Sequence, residues 1–495
     1  MASLKRADSQ MNNRALRFAA LLATYLQAMN LSIPNSALRF IQGGLSMTDD
    51  QAGWIFTSYL AASGITLPIA QWLAGRFGLK RTYLAALATF VCGLWLSTTA
   101  QSPLGFIATR IVQGAASGIM APLSMAISLE TLPPERRPSF GASWTAIVLL
   151  GIVSGPAIGG WLADQFGWQA LFFTSIPLVT FIALVMSLDL TEKKATQPAR
   201  FDFFGFICFT AAMISLQMVL DRGERLEWWD SGEIWLEAAM SLLAFMLFIA
   251  HVLTSPSHFL SKALFRDRNF VLCTLLFFAA GFVLLPTMAL TSPMLDELLG
   301  YPPITTGLMT LPRGIGIVGG FVLMSRAPRG IDRRLAVAAG TATVIYANAT
   351  MLDYSPLMDW PPVAIAGAIQ GLGLGVLMPA LSHVAFSTLA PQLRPEGAGL
   401  FNLARTYGST LGVAVVQALF FNHTQALHLA FASHLTPYYF AADRIPTANL
   451  PQLAALNEAI IGQAAFIALI GQFKTLMVLM LVVTPLVLLL RKPSP

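Results

Sequence analysis

Charge is scarce in this sequence: Asp, Glu, Lys and Arg make up 11% of 495 residues, where an ordinary soluble protein has ~25%. In a chain that is 56% hydrophobic, that scarcity excludes a water-solvated globule and points to lipid. Cysteine is scarcer still. Cys92, Cys208 and Cys273 lie far apart in apolar runs, which excludes a disulfide framework and leaves them as small hydrophobes. No nucleophile with a partner base, no cluster of metal ligands and no phosphate-cradling glycine loop is readable, so neither an enzyme, a metal site, a cofactor nor ATP drive is expected. The net charge of +6 does not form a nucleic-acid surface, because the basic residues fall in alternate short loops. The opening MASLKRADSQMNNRALR is polar and basic, and the run from Phe18 lacks a signal-peptide cleavage site, so the N-terminus is expected to stay in the cytoplasm.

What is abundant is apolar sequence in runs of membrane-crossing length. Fourteen spans are predicted, from 18–40 and 53–74 through 397–421 and 473–490. With the N-terminus inside, the cytoplasmic segments hold 22 of the 30 Lys and Arg, as the positive-inside rule requires, and both termini face the cytoplasm.

Two stretches say nearly the same thing 257 residues apart: QGAASGIMAPLSMAISLETLPPERRP from Gln113 and QGLGLGVLMPALSHVAFSTLAPQLRP from Gln370. The register continues to Gly151/Gly408 and Gly155/Gly412, which predicts two equivalent halves. Six spans need only ~180–190 residues, so two extra helices, near 203–220 and 232–254, fill the difference. The expected plan is an all-α polytopic protein in three parts: residues 1–190 with six helices, 191–268 with two, and 269–495 with six and a long outer segment, 422–472. Direct repeats of this kind are typical of transporter halves that rock about a central site.

GIVSGPAIGG places Gly151, Gly155, Pro156, Gly159 and Gly160 on the fifth helix, where small residues permit close approach and proline a bend. This stretch resembles the antiporter motif of drug exporters in the major facilitator superfamily. RIVQGAASG, with Arg110, resembles the superfamily's fourth-helix motif. LAGRFGLKR resembles its loop between helices two and three; Arg76, Gly78, Lys80 and Arg81 match, but the acidic residue expected before the Arg is Gly75. With NLSIPNSALRF, DRGERLEWW, LPRGIGIVGG around Arg313 and GAGLFNLARTYGSTLGVA around Arg405, nearly the whole chain resembles the 14-helix drug:proton antiporters of the EmrB/QacA type. The resemblance implies a bacterial inner-membrane exporter of amphipathic small molecules, driven by protons, that delivers them to a periplasmic adaptor and an outer-membrane channel.

The expected cavity residues are Gln27, Asn30, Tyr59, Arg110, Gln113 and Asn402. Gln27, Asn30 and Pro34 recur at helical spacing and so share a face. Where the family pattern has an acid, Asn30 has an amide that cannot titrate. Glu130, His383 and Glu396 remain as proton-coupling candidates, and a facilitator or membrane sensor without proton coupling is the alternative. Arg110, Arg313 and Arg405 fall inside spans, where each either serves the cavity or pins helices by bonding carbonyls. His423, His428 and His434 do not share a helix face, so no metal site is expected there. The apolar stretches of 422–472 are read as amphipathic structure on the membrane surface or against the adaptor.

Overall fold

The computed structural model describes all residues except 1, 134–136, 193–200, 224–225, 256–262, 329–331, 391–392, 435–449 and 492–495. The described residues form helices and turns and no strand. The first part holds α1 (Ala2–Ser32), α2 (Leu38–Leu45), α3 (Asp49–Thr66), α4 (Ile69–Phe77), α5 (Leu79–Thr98), α6 (Pro103–Glu130), α7 (Arg137–Phe166), α8 (Ala170–Phe173) and α9 (Ser175–Asp189). Two helices follow, α10 (Phe203–Arg222) and α11 (Gly232–Thr254). The remainder holds α12 (Arg268–Pro293), α13 (Pro303–Arg326), α14 (Arg333–Thr350), α15 (Trp360–Thr388), α16 (Arg394–His434), α17 (Leu450–Val483) and α18 (Pro485–Leu488).

Among the described residues ten helices are long and apolar enough to cross a membrane, and the bent pair α3 and α4 makes an eleventh. The helices over the first, third and thirteenth predicted spans, α1, α5 and α16, are not among them. Two predicted spans are broken. The run 53–74 bends by 52° between α3 and α4, where Pro68 has no N–H to continue the ladder. The run 18–40 ends as α1 at Ser32, and a short turn at Asn35–Ala37 after Pro34 leads into α2. Two others are longer than expected. The parts of 422–472 that are described do not form separate surface helices, because α16 continues to His434 and α17 begins at Leu450. These extensions pair with each other: His428 Nε2 lies 2.9 Å from Asn457 Oδ1, and Gln472 Nε2 3.1 Å from His423 Nδ1. The YYF stretch at 438–440 lies outside the described residues.

The internal repeat reappears as repeated contacts. A Cβ on Gly114 would strike Tyr59 O and one on Gly118 would strike Ser63 O; at the matching Gly371 and Gly375 it would strike Arg313 O and Ile317 O. Gly151 abuts Tyr25 O just as Gly408 abuts Phe278 O. Bare backbones therefore meet at the same places in α3/α6 and α13/α15, and in α1/α7 and α12/α16. Such contacts hold helices together in lipid, which supplies no hydrophobic drive between them. The buried apolar side chains gather into one cluster drawn mostly from the first six predicted spans and another mostly from the last six. α10 and α11 form an added pair pinned near both ends, with Arg222 bonded to Glu233 (2.5 Å) and Glu237, and His251 to Asp202 (2.8 Å).

The start of α1, the α4–α5 connection, the end of α13, the start of α14 and Arg491 lie at one end of the bundle. There Lys80 Nζ donates to Ser187 O (2.7 Å), Arg334 Nη1 to Leu490 O (3.1 Å), and Asn269 bonds the Arg491 backbone (2.8 and 2.9 Å). This is called the basic end below. Gly371→Leu should lower the stability of the solubilised protein by about 1–3 kcal/mol through overpacking, whereas Gly462→Leu, with open space at its Cβ position, should leave the thermal midpoint in place. Equal midpoints for the two variants would contradict the backbone-contact account.

Candidate transport site

Proline removes an N–H from a helix, and in a membrane the freed carbonyl must find another donor. Pro156 leaves Ile152 O without its usual partner on α7, and Ser32 Oγ of α1 donates to it at 2.5 Å. Ser36 Oγ donates to Pro156 O. Pro34 likewise leaves Asn30 O free, and Arg110 Nη2 of α6 donates to it at 3.1 Å. The remaining Arg110 donors reach Ile55 O (3.1 Å) and Gln113 Oε1 (2.7 Å). Its guanidinium also stacks 4.4 Å from the centroid of the Tyr59 ring, a cation–π contact that partly offsets burial of the charge.

This network decides where the expected residues sit. Arg110, Gln113 and Asn30 are fully buried and are not among the residues lining the cavity. Gln113 Nε2 donates to Gly93 O (3.1 Å) and Ser97 Oγ (2.6 Å), tying α6 to α5. Asn30 Nδ2 donates to Leu26 O (2.9 Å) and to Ser175 Oγ of α9 (3.1 Å). Gln27, Tyr59 and Asn402 do line a cavity of about 50 Å³, together with Arg405, Trp144 and Ser117 among others. Tyr59 Oη donates to Gln27 O at 2.9 Å and Ser117 Oγ donates to Gln27 Oε1. The shared face of Gln27, Asn30 and Pro34 thus divides: Gln27 faces the cavity, while the Asn30 amide turns to α9.

Beyond the cavity, away from the basic end, a seam of small residues joins the two parts. A Cβ on Gly155 would meet Ser32 and the Ile33 backbone, and one on Gly159 would meet Ile33 O. Across the seam, Gly307 of α13 abuts Pro156 O and Ala157, and Gly314 abuts Val153. Arg39 Nε lies 3.9 Å from Glu297 Oε1 at the outer rim, a half-exposed pair of small energetic weight.

The proton-coupling candidates are scattered. Glu130 and His383 are exposed near the basic ends of α6 and α15, and neither lines the cavity. The side chain of Glu396 lies outside the described residues. Arg313 is buried with Thr291 Oγ1 as its one hydrogen-bond partner among the described residues, at 3.4 Å, and Arg405 bonds Asn402 Oδ1 at 3.0 and 3.3 Å. Among the described residues no group of three or more His, Cys, Asp or Glu could hold a metal.

Sequence reasoning missed three residues. Glu192 accepts from the Lys80 and Arg81 backbone N–H groups (3.3 and 3.2 Å), placing a carboxylate over the first turn of α5, where the helix end favours it. It fills the space a side chain at Gly78, with φ +94, would need. Asp296 is a buried carboxylate in the turn after α12; an acidic pair, Asp296 and Glu297, closing an apolar run was the available signal. Trp144 gave none.

A family model described as Major Facilitator Superfamily matches residues 20–413. The chain belongs to the major facilitator superfamily. It is 29% identical over 86% of its length to the multidrug export protein EmrB of Haemophilus influenzae, covering 83% of that protein. It is 30% identical to the fatty acid resistance protein FarB of Neisseria gonorrhoeae, over 95% of each chain. A bacterial homologue of the human lysosomal transporter Spinster, solved inward-facing and occupied, shares the fold with a TM-score of 0.60 at 16% identity, over 96% of this chain and 95% of that one. This chain is therefore a multi-pass membrane protein of the superfamily, an EmrB-type exporter of small molecules and not an enzyme.

Replacing Arg110 by Met should destabilise the protein by at least about 2 kcal/mol, since it strands buried acceptors on three segments. Unfolding in lipid nanodiscs at an unchanged midpoint would show that the network does not hold α1, α3 and α6 together.

Proposed function

We propose that this transporter exports amphipathic small molecules across the bacterial inner membrane by alternating access, driven by proton antiport. In this reading fourteen helices in a six, two and six arrangement cross the bilayer, the parts are 1–190, 191–268 and 269–495, and the basic end and both termini face the cytoplasm. The observation that carries the reading is the cavity on the basic-end side of the seam, with its far side closed where Gly307 and Gly314 of α13 pack on Pro156, Ala157 and Val153 of α7, and Gly155 and Gly159 hold α7 against α1. Helices that touch through glycine can part and rejoin as rigid bodies, which is what a rocking carrier requires. Names of relatives concern multidrug export and fatty acid resistance, consistent with apolar cargo. The paired extensions of α16 and α17 offer a surface to a periplasmic adaptor that leads to an outer-membrane channel.

One observation favours the second reading, a carrier without proton coupling: no carboxylate is among the described lining residues, and Asn30 holds an amide against Ser175. Transport into inside-out vesicles, with the pH gradient and the membrane potential imposed separately, decides between them. Stimulation by an inward-acid gradient supports antiport; rates insensitive to both gradients leave the uncoupled carrier. Gly155→Leu should cut transport at least about tenfold with protein still inserted, because its side chain wedges α1 from α7. Asn30→Asp should add a pH dependence to uptake of a cationic compound. Superimposed pH profiles for Asn30→Asp and the parent would remove that position from the coupling path.

A further inference from the structure

The cavity holds one kind of charge. Among its described lining residues Arg405 is the sole charged side chain, and no Asp or Glu is present. Its guanidinium makes hydrogen bonds through Nε and Nη2, both to Asn402 Oδ1. Among the described residues Nη1 has no partner, and no carboxylate lies within ion-pair distance of Arg405. The contrast with Arg110 is informative, since there every nitrogen is engaged.

The backbone fixes where this group stands. Gly281 of α12 lets Arg405 O approach so closely that a Cβ would collide with it, and Ser409 Oγ donates to Gly281 O at 3.1 Å. α16 is thereby clamped to α12, with Arg405 and Asn402 on the cavity side. Two neighbouring hydroxyls are already committed, Thr406 Oγ1 donating to Asn402 O (3.0 Å) and Ser117 Oγ to Gln27, while Trp144 Nε1 is a buried donor without a partner among the described residues. The remaining wall includes Leu31, Leu60, Val148, Ile152 and Trp144.

Resting on the export reading above, we infer that Arg405 is a head-group site selecting amphipathic carboxylates, with the apolar tail along Trp144 and its neighbours. A cation in a low-dielectric cavity without a counter-charge attracts an anion and repels a second cation more strongly than it would in water. The planar fork of Arg suits a carboxylate in particular. At about 50 Å³ in this state, the cavity admits a head group, and a tail is seated only as the surrounding helices part.

The test uses the full chain in nanodiscs and three probes of one tail length: decanoate, decanol and decyltrimethylammonium. Calorimetric titration should rank decanoate first. Arg405→Gln should weaken decanoate by at least about tenfold, the scale of one charge-assisted contact, and change decanol by less than about threefold; Arg405→Lys should fall between. Decyltrimethylammonium binding the parent as tightly as decanoate overturns the inference, and that comparison needs no variant to fold. Equal loss of decanoate and decanol in Arg405→Gln overturns it too. The export reading fails separately: if vesicles move none of the probes while binding still follows the head group, the carboxylate site stands without export. If vesicles move all three alike, export stands without the carboxylate site.

Discussion

A carbonyl freed by proline inside a membrane has no water to turn to, and this fold is organised around two of them. Asn30 O, released by Pro34, is taken by Arg110, and Ile152 O, released by Pro156, is taken by Ser32. Each bond crosses from one helix to another, so the carbonyls that the two prolines free tie α1, α6 and α7 into the bundle. Remove either donor and a buried acceptor is left alone, at a cost of about 1–3 kcal/mol. The bonds are local to one half, so the halves meet instead through small residues, apolar side chains and the Arg39–Glu297 pair.

That division explains how a rigid structure can also move. Within each half, glycines let helices close to backbone contact, and polar side chains lock the approach. Between the halves lies the seam, where Gly307 and Gly314 of α13 meet Pro156, Ala157 and Val153 of α7 with shape complementarity and without a dense polar network. Parting it exposes small residues and few unsatisfied groups, a modest cost for a transition between two states. The cavity lies where the seam stops, and its chemistry is set by α16 and α3 as much as by the repeated motifs.

The repeat, the all-helical class and the glycine motif were legible in the sequence because each rests on spacing. Gly114 and Gly371 share a register, and the structure shows them doing the same thing. Side-chain direction was not legible. Asn30 lies one turn from Gln27, yet only Gln27 lines the cavity, because Pro34 shifts the work of position 30 to its carbonyl and its amide faces Ser175 on a distant stretch of chain. Glu192 escaped notice because its partners are backbone N–H groups more than a hundred residues away in sequence. The continuation of α16 and α17 beyond their predicted ends was hidden by polar residues that break an apolar run without breaking a helix.

The account stands on opening of the glycine seam in answer to substrate. The direct measurement is a pair of spin labels at Gly43→Cys and Pro302→Cys, on either side of that seam, with Cys92, Cys208 and Cys273 replaced. Pulsed dipolar spectroscopy in nanodiscs should give one short distance without ligand and a second, longer population when a transported amphipath is added. A single distance that is the same with and without that compound would contradict the account.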